Sequence, residues 1–354
     1  MKILCRMLVV AALITSCAAE PIVNSGNSVQ GAGAGVIWSI PKDKIVDGGV
    51  GEDGIPSLDD PKYYNFNDVT YIGNNELVIG VVIDGQARAY PHKILDWHEI
   101  VNDDFGKSQK TVSYCPLTGT AMGWEREISG HVLDFGVSGL LYNANLILYD
   151  RQTKSRWSQL SRKCVNGELL DTEAVSFPVL ETTWGMWKRM YPNTIVLSDI
   201  QGYNFDYSFY PYGSYRWNNN YFIFPVDNLD TRLGAKERVL VLYYKQIARV
   251  YRFESFGGGK VVKQQFFEKH HLIAGTPEVM VAYELAEDQL HLEFELMHFG
   301  RAFLKDNEGN TWSLGGVALS GPRKGQKLVL ASSYMSYWFA VPPFFNWTTI
   351  IDVL

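Results

Sequence analysis

The sequence predicts a mainly β, β-rich α+β protein. We expect two related antiparallel subdomains, of meander, sandwich or barrel type, with a few short helices. Three observations carry this. Short β-branched and aromatic runs recur between Gly, Asn, Asp and Ser turns. The first such runs form a succession of hairpins. The same order of runs then returns in the second half of the chain. The expected organisation is a signal segment over 1–16, a tether over 17–35 and a first β repeat over 44–200. An aromatic connector follows over 201–236, and a second, degenerate repeat over 237–347.

The N-terminus has the pattern of an export signal. Lys2 and Arg6 precede an apolar run, Leu8 to Ile14, too short to span a membrane. Ile14-Thr15-Ser16-Cys17 has the form of a bacterial lipobox, with Cys17 as the lipidated residue. The expected location is the cell envelope, with the chain held to a membrane through its N-terminal lipid. Ala18 after that cysteine favours the outer membrane over the inner. Residues 18–35 are small, polar and glycine-rich, a flexible leash of about 25 Å. Loss of 1–16 moves the formal charge from −6 to −8. An acidic chain of this kind is not expected to bind nucleic acid.

The elements follow in order. Leu77 to Ile83, an Asp84-Gly85 turn and Gln86 to Tyr90 read as a hairpin. His98 to Asn102 and Lys110 to Cys115 flank a turn near Gly106. Ala121 to Glu127 and Val132 to Phe135 flank Ile128-Ser129-Gly130. Leu146 to Tyr149 and Arg156 to Gln159 form a fourth pair. A helix then starts at a Thr182 or Thr183 cap, buries Trp184 and Trp187 on one face, and stops before Pro192. In the second half, Ala248-Arg249-Val250-Tyr251 echoes Ala87-Arg88-Ala89-Tyr90. Asp306…Trp312-Ser313 echoes Asp150…Trp157-Ser158, and Ser333-Tyr334 onward is matched to Thr183-Trp184 onward. Residues 201–224 hold eleven aromatics in 24 positions. They read as a packed connector between the repeats, or as a stacking platform for sugar rings.

Residues present in both copies serve the scaffold first. Asp150 and Asp306 are turn residues that bond their own backbone, and Trp157 and Trp312 are core indoles. Residues confined to the first copy are the functional candidates: Cys115, His98, Arg151 and Gln159. An insertion within Gly136–Asn143 adds loop length there. A hairpin centred between Gly106 and Lys107 would set His98 opposite Cys115 on one face, about 5 Å apart. A histidine there would favour the thiolate. Such a pair suits a nucleophile or half of a site for a soft transition metal such as copper. Other readings of Cys115 are a small buried hydrophobe, with His98 on a backbone carbonyl, or a disulfide to Cys164.

Three functions follow. The first is a ligand- or metal-binding module centred on Cys115 and His98, with Glu99, Thr118, Asn143, Arg151 and Gln159 as polar contacts. The second is a thiol enzyme or redox protein with Cys115 as nucleophile, His98 as base, and Glu99 or Asp103 as orienter. The third is a glycan- or protein-interaction module built on the connector.

Several long motifs bear a resemblance. They are Ala89-Tyr90-Pro91, Trp97-His98-Glu99-Ile100-Val101-Asn102-Asp103 and Tyr114-Cys115-Pro116-Leu117-Thr118-Gly119-Thr120. Phe135 to Tyr142 and Asp150-Arg151-Gln152-Thr153…Trp157-Ser158-Gln159 complete the set. From about Lys44 to Pro343 the chain resembles the bacterial domain-of-unknown-function family DUF3179. That family implies no agreed activity. Many of its members have a second cysteine where Thr118 stands here. The resemblance therefore does not extend to a Cys-x-x-Cys couple, and Cys164 would have to serve as the partner.

Overall fold

The structure is a computed structural model, and it describes residues 37–353. The expected signal segment, Cys17 and the expected tether lie outside the described residues. The rest is β-rich, with antiparallel sheets and two short α-helices, α1 (His92–His98) and α2 (Trp184–Met190).

Each half holds three sheets in corresponding order. In the first sheet, Leu180–Thr183 pairs with Leu77–Ile83, which pairs with Gln86–Pro91, which pairs in parallel with Ile195–Leu197. Its counterpart runs Ser333–Tyr337, Arg238–Tyr244, Ile247–Arg252 and a parallel Trp347–Ile351. The second sheet joins Ile100–Phe105, Ser108–Cys115, Thr120–Glu125 and Ser176–Phe177. Its counterpart joins Lys260–Phe266, Lys269–Gly275, Met280–Leu285 and Val329–Leu330. The third meanders through Phe135–Tyr142, Asn145–Asp150, Arg156–Ser158 and Lys163–Asn166. Its counterpart meanders through Phe294–Leu296, Leu304–Asp306, Thr311–Trp312 and Ala318–Ser320.

The halves interlock. One core sets Val78, Ala89, Trp184 and Trp187 of the first half against Leu272, Val281, Phe303 and Trp312 of the second. Another sets Cys115, Trp124, Phe135 and Trp157 against Val239, Val241, Val250 and Tyr334. Each hairpin sheet thus packs one face on its own half and the other on its partner half. Within the first half, α2 lies so close to the hairpin sheet that a Cβ added at Gly80 would stand 2.0 Å from the Trp187 ring. The shared Asp and Trp do the same work in both halves. Trp157 Nε1 donates to Asp150 Oδ2 at 2.9 Å, and Trp312 Nε1 donates to Asp306 Oδ2 at 2.8 Å. Each aspartate also accepts turn N–H groups, from Thr153 and Asn310 respectively.

Some elements differ from expectation. Residues 120–125 pair back onto 108–115, and Phe135–Tyr142 turns to pair with 145–150. Only a two-residue pair, 127–128 with 131–132, fills the expected third hairpin. The predicted Gly136–Asn143 loop is strand, bulged between Val137 and Leu140. The expected helix is α2, capped by Thr183 Oγ1, which accepts from Met186 N. Helix α1 was missed, because its buried positions read equally as strand. In the second half Trp338, not Tyr334, takes the place of Trp184. Each follows the last residue of the strand paired to the hairpin sheet.

Candidate functional site

Everything at the site starts from the junction of α1 with the strand after it. The predicted register is present, with Ile100 opposite Ser113 and Val101 opposite Val112. The strand begins only at Ile100, however. Glu99 caps α1 with φ +57°, a left-handed conformation that costs a non-glycine residue about 1 kcal/mol or more. That turn leaves His98 on the helix and outside the ladder, so it does not face Cys115. Its Nδ1 donates to Pro56 O at 2.8 Å, since a carbonyl can only accept. Its Nε2 then accepts from Tyr207 Oη at 2.6 Å. Burial brings the imidazole down to about 4. His98 is a neutral, fully bonded core ring, and the expected Cys115–His98 centre does not form. Among the described residues no group of three or more His, Cys, Asp or Glu side chains is arranged to hold a metal ion. The side chains around Cys115 do not fit a soft-metal centre.

Cys115 ends its strand at a turn whose Gly119 has φ +60° and lies flat against the Tyr337 ring. The sulfur is buried and 3.8 Å from Ala144 O. Burial and the nearby Glu99 push the thiol up to about 11, while the Thr118 hydroxyl and N–H and the Leu146 N–H oppose the rise. Glu99, 5% exposed, accepts from Tyr212 Oη at 3.0 Å. Burial pushes its carboxyl up to about 8, with a further rise from Asp96. Asp96 lies one turn earlier on α1 and is 3% exposed. Burial raises it to about 6, against the pull of His92 and Arg216. Its Oδ1 has no hydrogen-bond partner, and its Oδ2 is 3.6 Å from Arg216 Nη1. Alongside, His92 Nε2 lies 3.4 Å from Glu181 Oε2, and Glu181 pairs with Arg238 across the halves.

The connector roofs this cluster. Tyr215 Oη donates to Leu117 O at 2.9 Å, holding the strap to the cysteine turn. Tyr210 and Trp217 enclose the Arg216 guanidinium, at 3.9 and 4.4 Å from the ring centres. Trp97 and Phe205 stack at 4.8 Å. Tyr203, Phe209 and Trp217 are exposed.

The other predicted residues fall behind or beside the cluster. Thr118 belongs to it, through the sulfur. Gln159 is fully buried and makes no rim. Its Nε2 donates to Ser113 Oγ and Thr120 O at 3.0 and 3.2 Å, and its Oε1 accepts from Asn145. Asn145 also donates to Thr118 Oγ1 at 3.0 Å. This network braces the cysteine turn from below. Asn143 and Ala144, at φ +49° and +60°, form the two-residue hairpin turn that carries Ala144 to the sulfur. Arg151 is turned away. It clamps residues 53–57 through Asp53 at 2.6 Å and Ser57 at 2.9 Å. Asp103 is bonded to Arg88, Tyr63 and Tyr90, and orients nothing at the cysteine.

Sequence reasoning reached Tyr210 and Tyr212 only as part of the aromatic connector, and missed Asp96, Arg216 and Tyr337. Asp96 and Glu99 sit three residues apart, one helical turn, a spacing that would have paired them had α1 been recognised. Tyr337 carries no such signal.

Residues 52–348 match the model of a family described as protein of unknown function, DUF3179. The chain belongs to the DUF3179 family. No curated protein and no solved structure matches it. In this DUF3179 chain Cys115 and Cys164 are both free and buried, so the alternative of a disulfide between them falls away. Thr118, in place of a second cysteine, gives the sulfur a hydroxyl neighbour.

Proposed function

We propose that this DUF3179 protein is an exported, lipid-anchored binding module whose ligand site is the Cys115–Glu99–Asp96 cluster under the tyrosine strap. One observation carries the reading. A carboxylate oxygen, Asp96 Oδ1, is sealed in the protein with no partner, beside a second acid, a thiol and a wall of tyrosines. An unpaired buried polar atom costs roughly 1–3 kcal/mol, so such a group points to an occupant that satisfies it. The Lys2–Cys17 segment supports export and anchoring. The test is native mass spectrometry of full-length protein extracted from membranes. A co-purifying small molecule, absent from Glu99→Gln and Asp96→Asn variants that still fold, is the expected result. A molecule retained by both variants would place the site elsewhere. Intact mass before and after Cys17→Ala reads the lipid.

A second reading is a thiol enzyme. It is favoured by the Thr118 and Leu146 donors around the sulfur, which would stabilise a thiolate once the strap lifts. Glu99, held near 8, is placed to act as general acid or base. Time-dependent acylation of Cys115 by an activated ester, abolished in Cys115→Ser and slowed in Glu99→Gln, separates this reading from pure binding.

A further inference from the structure

We propose that the Asp96–Glu99 site takes an organic cation, a guanidinium or alkylammonium group, in the seat that Arg216 now occupies. The inference rests on the binding reading above and names its ligand chemistry.

The chain's own arginine marks the seat. Its guanidinium sits in the corner made by the rings of Tyr210 and Trp217, which themselves meet at 5.5 Å edge to face. Aromatic faces attract cations through their ring quadrupole. Arg216 approaches Asp96 only to 3.6 Å and forms no hydrogen bond with it, leaving Oδ1 unpaired. The acid is thus offered a cation and is not satisfied by it. The neighbouring buried acid Glu181 also leaves one oxygen, Oε2, without a hydrogen-bond partner, but its other oxygen is held by Arg238 and His92 lies against it. Glu99, three residues on and protonated at neutral pH, accepts from Tyr212 on one oxygen and leaves Asp96 as the charged acid of the site. The lid of the site is Arg216 itself together with Trp217. The Arg216 side chain is about one-third exposed, and Trp217 is among the most exposed aromatics. A mobile ligand cation, free of the strap backbone, could move the last ångström to Asp96 and displace Arg216 into solvent. Arg216 is then an internal competitor for the seat.

Competition makes the idea testable. Agmatine, which carries a guanidinium and an ammonium, is titrated by calorimetry into the full-length protein at pH 7.5, with butylurea as the uncharged control. Agmatine should bind the wild type, bind Arg216→Ala about tenfold tighter because the competitor is gone, and fail to bind Asp96→Asn. Butylurea should bind none of them. Arg216→Gln repeats the test should the alanine variant misfold, and thermal melting reports folding of each. Equal agmatine affinity in the wild type and both Arg216 variants, or binding that persists in Asp96→Asn, overturns the proposal. Should agmatine fail while a co-purifying molecule is still lost from Glu99→Gln, the cation is wrong and the binding module stands.

Discussion

Tyr212 Oη donates to Glu99 Oε1 at 3.0 Å, and this one bond ties the connector to the end of α1 directly beside Cys115. Tyr212→Phe removes the donor and leaves the buried carboxyl short of a partner. We expect a loss of about 1–2 kcal/mol in unfolding free energy, read by urea denaturation. Labelling of Cys115 by a small maleimide should rise in parallel as the strap loosens. An unchanged labelling rate would show that the strap is held elsewhere.

Glu99 stays protonated at neutral pH, because burial holds it near 8. Glu99→Gln therefore mimics the resident species and should cost little at pH 7. Between about pH 5 and 8 the wild type should lose melting temperature faster than the variant, which has no carboxyl to ionise on unfolding. Parallel melting curves across that range would place the Glu99 titration outside it.

Taken together, the buried groups named here put their stability optimum at about pH 4.5. Glu99 and Asp96 have folded values raised to about 8 and about 6, so the folded state binds more protons than the unfolded one. Their contribution is complete below the unfolded carboxylate range and is lost as pH rises through those values. His98 has the opposite sign. Its folded value is lowered to about 4, so its contribution is full above about 6.5 and is lost as pH falls toward 4. Glu181, brought down to about 2 by Arg238 and His92 against its burial, adds a further loss below the normal carboxylate range. Denaturant midpoints from pH 4 to 9 test this. A stability that climbs steadily to pH 9 would contradict the assignment of both acids.

Cys115 and Cys164 are free, buried, and both raised to about 11. At pH 8 the thiolate fraction is about a hundredfold below that of an ordinary cysteine. In protein processed and lipidated at Cys17 as proposed, the native state should react slowly with Ellman's reagent, and the two thiols of Cys115 and Cys164 should appear on unfolding under non-reducing conditions. Fewer than two would indicate a disulfide.

Asp306→Ala should cost about 2–4 kcal/mol, because it unpairs the Trp312 indole and the turn N–H groups together. Asp150→Ala should cost a similar amount, through Trp157 and Thr153. A near-neutral change at either position would show that water replaces the carboxylate. Thermal melts of both variants decide it.

Much of the scaffold was legible in the chain. Asp84-Gly85 and Gly106 mark hairpins because their turns need positive φ, which few residues adopt cheaply. The Asp–Trp pairs could be set aside as scaffold because they recur. Helix α1 was not legible, since seven residues of mixed burial fit helix and strand periods alike. That one misreading carried His98 onto a strand and hid Asp96.

By itself the sequence determined the β class, the two-fold recurrence of its strands, the register about Gly106 and the prominence of Cys115. These depend on local turn chemistry and on side-chain alternation, both written into neighbouring residues. Tertiary structure alone decided that Glu99, not His98, stands beside the sulfur, since a single left-handed residue turns the chain out of the ladder. It also brought Tyr212 and Arg216 onto the same acids, and Tyr337 against Gly119 of the cysteine turn, from more than a hundred positions away. Contacts that distant are set by how the two halves interlock, and no local pattern encodes them.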